Sequence, residues 1–345
     1  WGAVLLFVLC LYPYVYLLTR AALGERAVRL MEAARLLGAP MRRRIREVAL
    51  PMARPAIAAG TALALMETLA DYGVGSYFGL TTFSTGIYKA WLVMNDRTAA
   101  AQLAAVLLLV VGALLLAERA AQRRLRFNTS RQAGPTADSR PLRLKRGAAF
   151  LAVLLCALPV LLGFVLPVTW LAWLLWQEAT GSEFGLPLLR FAHWAWASFR
   201  LAGTASLLAV ALALALAFAL RQRKGGLLQP AARVLSLGYA VPGAVVAVGL
   251  LLPLGWAQAR WPALGLSGWV TGTALGLMLA YLVRFAAVAL QSVDAGYARV
   301  PLSVDETART LGSRPGRVFL RLHLPLLGRS AGAALLLVFV DVMKE

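Results

Sequence analysis

The chain has 345 residues, of which 60% are hydrophobic and 14% are charged, and its mean hydropathy is +0.72. Polar side chains are too few to cover the exterior of a water-soluble domain of this size, so the composition excludes an ordinary soluble globular protein. The formal net charge is +20, from 35 Lys and Arg against 15 Asp and Glu. The composition predicts an all-α, polytopic membrane protein, because apolar runs of eighteen or more residues are typical of membrane-spanning helices.

Eight apolar segments are each close to the ~20 residues that a helix needs to cross a bilayer. In chain order we predict spans at 1–19, 56–75, 99–118, 148–176, 198–220, 234–256, 268–291 and 328–345. An Arg-rich segment containing Gly and Pro separates the third span from the fourth, which is typical of a flexible linker. We therefore predict one module at 1–118, a linker at 119–147 and a second module at 148–345.

Lys and Arg are concentrated in alternate loops between the predicted spans. One set of loops holds 27 of them and comprises 20–55, 119–147, 221–233 and 292–327. The other set holds four and comprises 76–98, 177–197 and 257–267. Positive residues favour the cytoplasmic side of a membrane, so we place the first set in the cytoplasm. The basic charge then reports topology and contact with anionic lipid, and nucleic acid binding is not predicted.

A repeat with an offset of 274 residues lies in two of these loops, 20–55 and 292–327. Eight of twenty positions are identical, and in both copies a Gly follows a Glu by six residues and a Pro follows it by nineteen. The first copy contains Glu32, Ala33, Ala34, Gly38 and Pro51. The second copy contains Glu306, Ala308, Gly312 and Pro325.

Local physics predicts a helix–turn–helix for each copy. Glu, Ala, Arg and Leu are strong helix formers, and Gly38 and Gly312 are placed to end the helix in a left-handed conformation. A second short basic helix is predicted at 41–48 and at 316–322, and the Pro that follows marks the start of the next span. The small Ala side chains would let a partner approach closely.

This spacing resembles the EAA loop of the inner-membrane permeases of bacterial ABC importers. In that family the loop docks into a groove on the ATPase subunit. The resemblance implies the type I permease fold of ABC importers, with two homologous halves in one chain and two ATPase subunits as partners. It also implies six spans per half, so three spans before residue 1 and one after residue 345 are expected to lie outside this chain.

Motifs for covalent chemistry are absent from the sequence. It contains no Gly-x-x-x-x-Gly-Lys-Ser/Thr phosphate loop, so the resemblance implies that ATP and Mg²⁺ are bound by the partner subunits. His193 and His323 do not have the spacing of metal ligands. We therefore predict no catalytic residue and no cofactor on this chain, assign no metal site, and predict a transport subunit rather than an enzyme.

Further segments resemble the fused ferric-iron permeases, and they lie at 12–16, 66–73, 77–79, 83–91, 239–243 and 339–345. This resemblance implies that a periplasmic binding protein delivers Fe(III), which the permease moves across the bacterial inner membrane into the cytoplasm. Related permeases carry thiamine, polyamines or other small solutes, and these stay open as alternatives. An ion-coupled secondary transporter is the alternative of another class, because such transporters also contain repeats but need no ATPase.

Two acidic pairs follow the same offset. Glu67 and Asp71 are four residues apart, which places them on one face of a predicted helix, with Glu67 near the midplane. Their counterparts are Asp341 and Glu345. Carboxylates inside a membrane are costly and usually face a pathway or a partner, and hard oxygen ligands suit Fe(III). The pairs either line the transport pathway or are structural, bonded to neighbouring helices or to Arg284, which lies well inside a span.

Overall fold

The structure is a computed structural model that describes residues 1–23, 28–125, 144, 146–181, 186–222 and 226–345. These residues form helices joined by turns, and none of them is in a strand. Eight helical segments among them are long and apolar enough to cross a bilayer. They are Gly2–Ala22, Met41–Ala70, Arg97–Ala117, Arg146–Gly181, Leu188–Gln222, Gly243–Arg260, Ala274–Tyr297 and Pro315–Met343. The predicted all-α, polytopic class is confirmed.

The α-helices of the described residues are numbered in chain order. The first nine are α1 (Gly2–Ala22), α2 (Val28–Leu36), α3 (Met41–Arg44), α4 (Leu50–Ala70), α5 (Gly73–Tyr77), α6 (Phe83–Tyr88), α7 (Arg97–Leu125), α8 (Arg146–Val160) and α9 (Leu166–Gly181). The rest are α10 (Leu188–Gln222), α11 (Leu228–Leu235), α12 (Gly243–Arg260), α13 (Leu266–Val270), α14 (Ala274–Tyr297), α15 (Ser303–Thr310), α16 (Pro315–Val318) and α17 (Leu324–Met343).

Short π-helical segments lie at Ile45–Ala49, Lys89–Val93, Leu161–Val165 and Phe319–His323. The second of them ends the helix that begins with α6, and each of the other three joins two α-helices. Three of them are followed, after one Leu, by a proline: Pro51, Pro167 and Pro325. A proline inside an α-helix removes one backbone hydrogen bond and its ring collides with the carbonyl four residues back. The wider π turn, in which the residue before the proline bonds five residues back, accommodates this ring without ending the helix.

The chain forms two compact units. The first comprises Trp1–Gly86 and Val106–Leu186. In it α1 packs along α4, and the two backbones come so close that a Cβ on Gly60 would lie 2.6 Å from the Cα of Val15. Only a residue without a side chain fits such a contact. Small residues of this kind are the usual basis of close helix association in membranes.

The second unit comprises Ile87–Ala105 and Pro187–Glu345, and its core is built by α10, α14 and α17. One face of α10 carries alanines at helical spacing, all nearly inaccessible: Ala202, Ala205, Ala209 and Ala213. Phe285 and Leu290 of α14 and Val338 of α17 fill the space beside them. The small residues bring the helices together, and the large ones fill the remaining volume.

Several predicted boundaries are wrong. The second span was expected at 56–75, but its helix is continuous from Met41 to Ala70, because the π turn absorbs Pro51. The sixth span, expected at 234–256, is broken at Val241 and Pro242, and its helix is α12. In the seventh, α14 begins later and ends later than the predicted 268–291.

The predicted linker also begins later than expected. Helix α7 continues to Leu125, so it includes the first residues of 119–147. Residues 126–143 and 145 of that linker lie outside the described residues. The division of the chain into two homologous halves stays a prediction.

Candidate docking site and transport pathway

The first copy of the repeat folds into two short helices joined by a tight turn. Helix α2 ends where the N–H of Gly38 donates to the carbonyl of Arg35 at 3.0 Å and the N–H of Ala39 donates to that of Ala34 at 3.0 Å. These are the two bonds of a Schellman motif, which requires a left-handed residue at its corner. Gly38 supplies it with φ +78°. The chain then turns back at Pro40 into α3 and runs through the π turn into α4.

The second copy repeats this geometry at the 274-residue offset. The N–H of Gly312 donates to the carbonyl of Arg309 at 2.9 Å, and that of Ser313 donates to Ala308 at 3.0 Å. Gly312 has φ +73°. The π turns at Ile45–Ala49 and Phe319–His323 are also offset by 274 residues. The structural repeat therefore includes the π turn that ends the sequence motif, just before the proline of the following span.

Each copy encloses a groove between its two helices. The first groove has a volume of about 480 Å³ and the second about 600 Å³. Six residues that line the first groove have counterparts 274 residues later that line the second groove. In the first copy they are Leu30, Ala33, Ala34, Leu37, Glu47 and Val48. The grooves differ in charge at one of these positions, where Glu47 is replaced by Arg321.

The predicted docking residues differ in how exposed they are. Glu32 and Glu306 are exposed on the first helix of each copy. Ala308 is buried and lines the groove of the second copy, and its docking role stays a prediction. The sequence did not single out Leu37 and Leu311, whose side chains are 88% and 78% exposed. A single exposed leucine is ordinary on a protein surface, and what distinguishes these two is that they recur at corresponding positions of both loops.

A buried ionic cluster is present in the second copy, and we call Arg221, Tyr297, Asp305 and His323 the Asp305 cluster. The carboxylate of Asp305 uses both oxygens: Oδ1 lies 2.6 Å from His323 Nε2 and Oδ2 lies 2.5 Å from Arg221 Nε. His323 Nδ1 lies 3.0 Å from the hydroxyl of Tyr297. With its proton on Nε2, the imidazole donates to Asp305 and accepts from Tyr297, so both ring nitrogens are satisfied.

Arg221, near the end of α10, also closes the C-terminal end of α14. Its Nη2 donates to the carbonyls of Val300 and Pro301, both at 2.9 Å, and its Nη1 to the carbonyl of Tyr297 at 3.4 Å. Carbonyls at a helix C-terminus lack partners in the helix and favour a cation. One guanidinium therefore connects α10, the end of α14 and the helix α15 of the second copy.

Sequence reasoning missed this cluster and considered His323 only as a metal ligand. The signal was a departure from the repeat: Asp305 and His323 stand where the first copy has Met31 and Ala49. Polar residues at positions that are apolar in the sister copy indicate a buried contact that the sister copy lacks.

The first acidic pair lies at the end of α4. Glu67 is half-buried three residues before the helix ends at Ala70, so it lies near a helix end, and its place near the midplane of the bilayer stays a prediction. Asp71 follows the helix, and its Oδ2 accepts a hydrogen bond of 2.8 Å from the N–H of Val74. This bond holds the first turn of α5. The prediction that both carboxylates share one helical face is wrong, because the helix stops between them.

The second pair has structural partners as well. Asp341 Oδ1 lies 3.0 Å from the Nζ of Lys344, which follows the last residue of α17. Glu345 lies beyond α17, and its Oε1 is 2.7 Å from Nη1 of Arg284, which is near the middle of α14. The Arg284 contact is the one that the structural alternative predicts. A role of the four carboxylates in the pathway stays a prediction, and among the described residues no group of three or more His, Cys, Asp or Glu could hold a metal ion.

The chain is similar in sequence to known membrane transport components. Residues 1–126 match the model of the family described as the inner membrane component of binding-protein-dependent transport systems. The chain is 25% identical over 349 aligned residues to the Fe(3+)-transport system permease protein FbpB 2 of Haemophilus influenzae. That alignment covers 100% of this chain and 66% of the relative, so the chain spans about two thirds of the relative's length.

No solved structure matches the chain. Both matches are to transport components rather than enzymes, which agrees with the predicted class. The family match includes the first copy of the repeat, with its Schellman turn and groove. Residues 1–126 are therefore similar to the inner membrane components of binding-protein-dependent transport systems, and the whole chain is similar to a transport permease.

Proposed function

We propose that this chain is the membrane-spanning subunit of an ATP-driven importer and that its two loop repeats are docking sites for two ATPase subunits. The observation that carries the proposal is the recurrence of one structure at two sites: a helix closed by a left-handed glycine, a groove, and an exposed leucine. Two equal ATPase subunits would each need such a site.

The orientation proposed for these sites is cytoplasmic. It is supported by the 27 Lys and Arg in the loops of that side against four on the other. The membrane is proposed to be the bacterial inner membrane, with a periplasmic substrate-binding protein on its outer side. ATP and Mg²⁺ would be bound by the ATPase subunits, and this chain would do no covalent chemistry.

The proposed substrate is Fe(III). It is supported by the printed function of the relative from Haemophilus influenzae and by carboxylate oxygens in two corresponding places along the chain. Thiamine, polyamines or another small solute would use the same machinery. ATP-driven closure of the ATPase subunits would move the docked loops and switch the spans between outward and inward access.

The docking proposal is tested by the affinity of the permease for the ATPase. Leu37→Asp combined with Leu311→Asp places a charge at the tip of each loop. We expect about 30-fold weaker binding, because burying an unpaired charge at the centre of an interface costs about 2 kcal/mol or more. Binding of labelled ATPase to membrane vesicles measures this change in affinity. Glu32→Lys combined with Glu306→Lys should also lower the affinity for the ATPase.

A matched control is Leu189→Asp, because Leu189 is 90% exposed and lies in the predicted outer segment. This variant should bind the ATPase with wild-type affinity. Binding is expected in inside-out vesicles and not in right-side-out vesicles. Equal binding by the loop variant and wild type would refute the docking sites, and binding to right-side-out vesicles would refute the orientation.

A further inference from the structure

The two loops differ in how they are attached to the rest of their own units. In the second copy the Asp305 cluster fastens α15 to the ends of α10 and α14. The cluster is well removed from solvent: Asp305, Arg221 and His323 have side chains that are 8%, 10% and 0% exposed. Phe218 of α10 packs its ring edge-on to His323 at 5.4 Å, which seals the cluster from that side.

The corresponding residues of the first copy cannot form such a cluster. At the 274-residue offset, Tyr297, Asp305 and His323 become Leu23, Met31 and Ala49. None of these side chains carries a charge, and none can donate or accept a strong hydrogen bond. The ion pair in the first loop, Arg43 with Glu47 at 2.8 Å, is within one turn of helix and 65% and 60% exposed.

We infer that Asp305 is a positioning residue that locks the second loop to α10 and α14, so that a displacement of this loop by a docked ATPase is passed directly to two membrane-spanning helices. This inference rests on the proposed function. It makes the two docking loops mechanically unequal: the second acts on α10, α14 and its own span α17, whereas the first lacks the side chains for an equivalent lock.

Directional contacts are the physical reason for this role. A carboxylate held on both oxygens, with its guanidinium partner also bonded to three backbone carbonyls, fixes the rotation of α15 as well as its distance from α14. Removing one member of a buried pair leaves the other charge without compensation, whereas an exposed pair contributes little. The lock therefore resists displacement in a way that the Arg43–Glu47 pair cannot.

The lock itself is tested without the ATPase, by hydrogen exchange of the full-length permease in detergent. Asp305→Asn and Arg221→Met should each accelerate exchange of the α15 amides by at least about tenfold, because the helix opens locally once the cluster is broken. Arg43→Met is the matched control and should change exchange in α2 by less than about twofold. Unchanged α15 exchange in both cluster variants would overturn the lock.

Transmission is tested with the assembled importer in liposomes, using its ATPase, its binding protein and Fe(III). Asp305→Asn should still bind the ATPase, because the groove and Leu311 are unaltered, yet move about tenfold less iron per ATP hydrolysed. If Asp305→Asn does not fold, Arg221→Met with Asp305→Leu replaces the buried pair by apolar groups, which proteins often tolerate. That double variant should show the same loss.

The outcomes separate the lock from the proposed function. Faster α15 exchange with wild-type iron movement per ATP, in either variant, would show a purely structural cluster and overturn the positioning role. Failure of the wild-type permease to bind the ATPase at all would overturn the proposed function and with it the transmission step. The exchange experiment would still decide the lock in that case, because it involves the permease alone.

Discussion

Gly38 and Gly312 are the residues at which sequence and backbone agree most closely. Both were expected to end a helix in the left-handed region, and both do so, with φ values of +78° and +73°. No other atom lies within 4 Å of the position that a Cβ would take at either glycine. The requirement for glycine is therefore one of backbone conformation and not of space.

A substitution at this position should act through backbone strain alone. Gly312→Ala should destabilise the end of α15 by about 1–2 kcal/mol, the cost of placing a residue with a Cβ in the left-handed region. Gly316→Ala is the matched control: Gly316 lies in α16, has open space around it and has no positive φ, so its replacement should be neutral or slightly stabilising. Hydrogen exchange at residues 303–313 distinguishes the two, and equal effects of both substitutions would contradict the account.

The side chains of the site were less predictable than its backbone. The glycines could be foreseen because a turn requirement is local and is written in a few consecutive residues. The Asp305 cluster could not, because Arg221 and Asp305 are 84 residues apart in sequence. Only the packing of α10 against α14 brings them together. For the same reason the partner of Glu345 could be suggested from the sequence but not established from it.

The number of spans was predicted more accurately than the ends of the helices that lie next to prolines. Pro51 and Pro325 were expected to separate a short helix from the next span, since proline usually ends or begins a helix. In the structure each follows a π turn, and α3 and α16 run into α4 and α17 without a break. A continuous helix is a stiff connection, so a force on either loop reaches its span along the helix axis.

The contact of α1 with α4 gives a prediction at the same scale. Gly60→Leu should prevent the close approach of these helices, because its first side-chain carbon would already lie 2.6 Å from the Cα of Val15. Overpacking of this kind costs about 1–3 kcal/mol and more where backbone must move. Gly112→Leu in α7 is the control, since nothing lies within 4 Å of its Cβ position.

Thermal unfolding in detergent measures the comparison between the two glycines. We expect Gly60→Leu to lower the unfolding temperature and Gly112→Leu to leave it close to wild type. If the two variants unfold at the same temperature, the close α1–α4 contact does not contribute to stability as described.

The whole molecule was predictable in class and span number because these depend on composition and on runs of about twenty residues. The ends of the spans were not predictable, since a broken helix such as the one before α12 has the same average hydropathy as a continuous helix. The substrate depends on a few side chains whose arrangement is set by tertiary structure. The identity of the substrate is therefore decided by a transport measurement rather than by further sequence comparison.

The most direct measurement is uptake of labelled Fe(III) into liposomes that contain the full-length permease, its ATPase and its binding protein, with thiamine and polyamines as competing solutes. We expect accumulation of iron that requires ATP and is abolished by Leu37→Asp with Leu311→Asp. Replacing Glu67, Asp71, Asp341 and Glu345 by their amides should lower uptake if these carboxylates line the pathway, and unchanged uptake would exclude that role. ATP-dependent uptake of another solute but not of iron would reject the substrate, and iron uptake that needs an ion gradient and no ATP would contradict the importer itself.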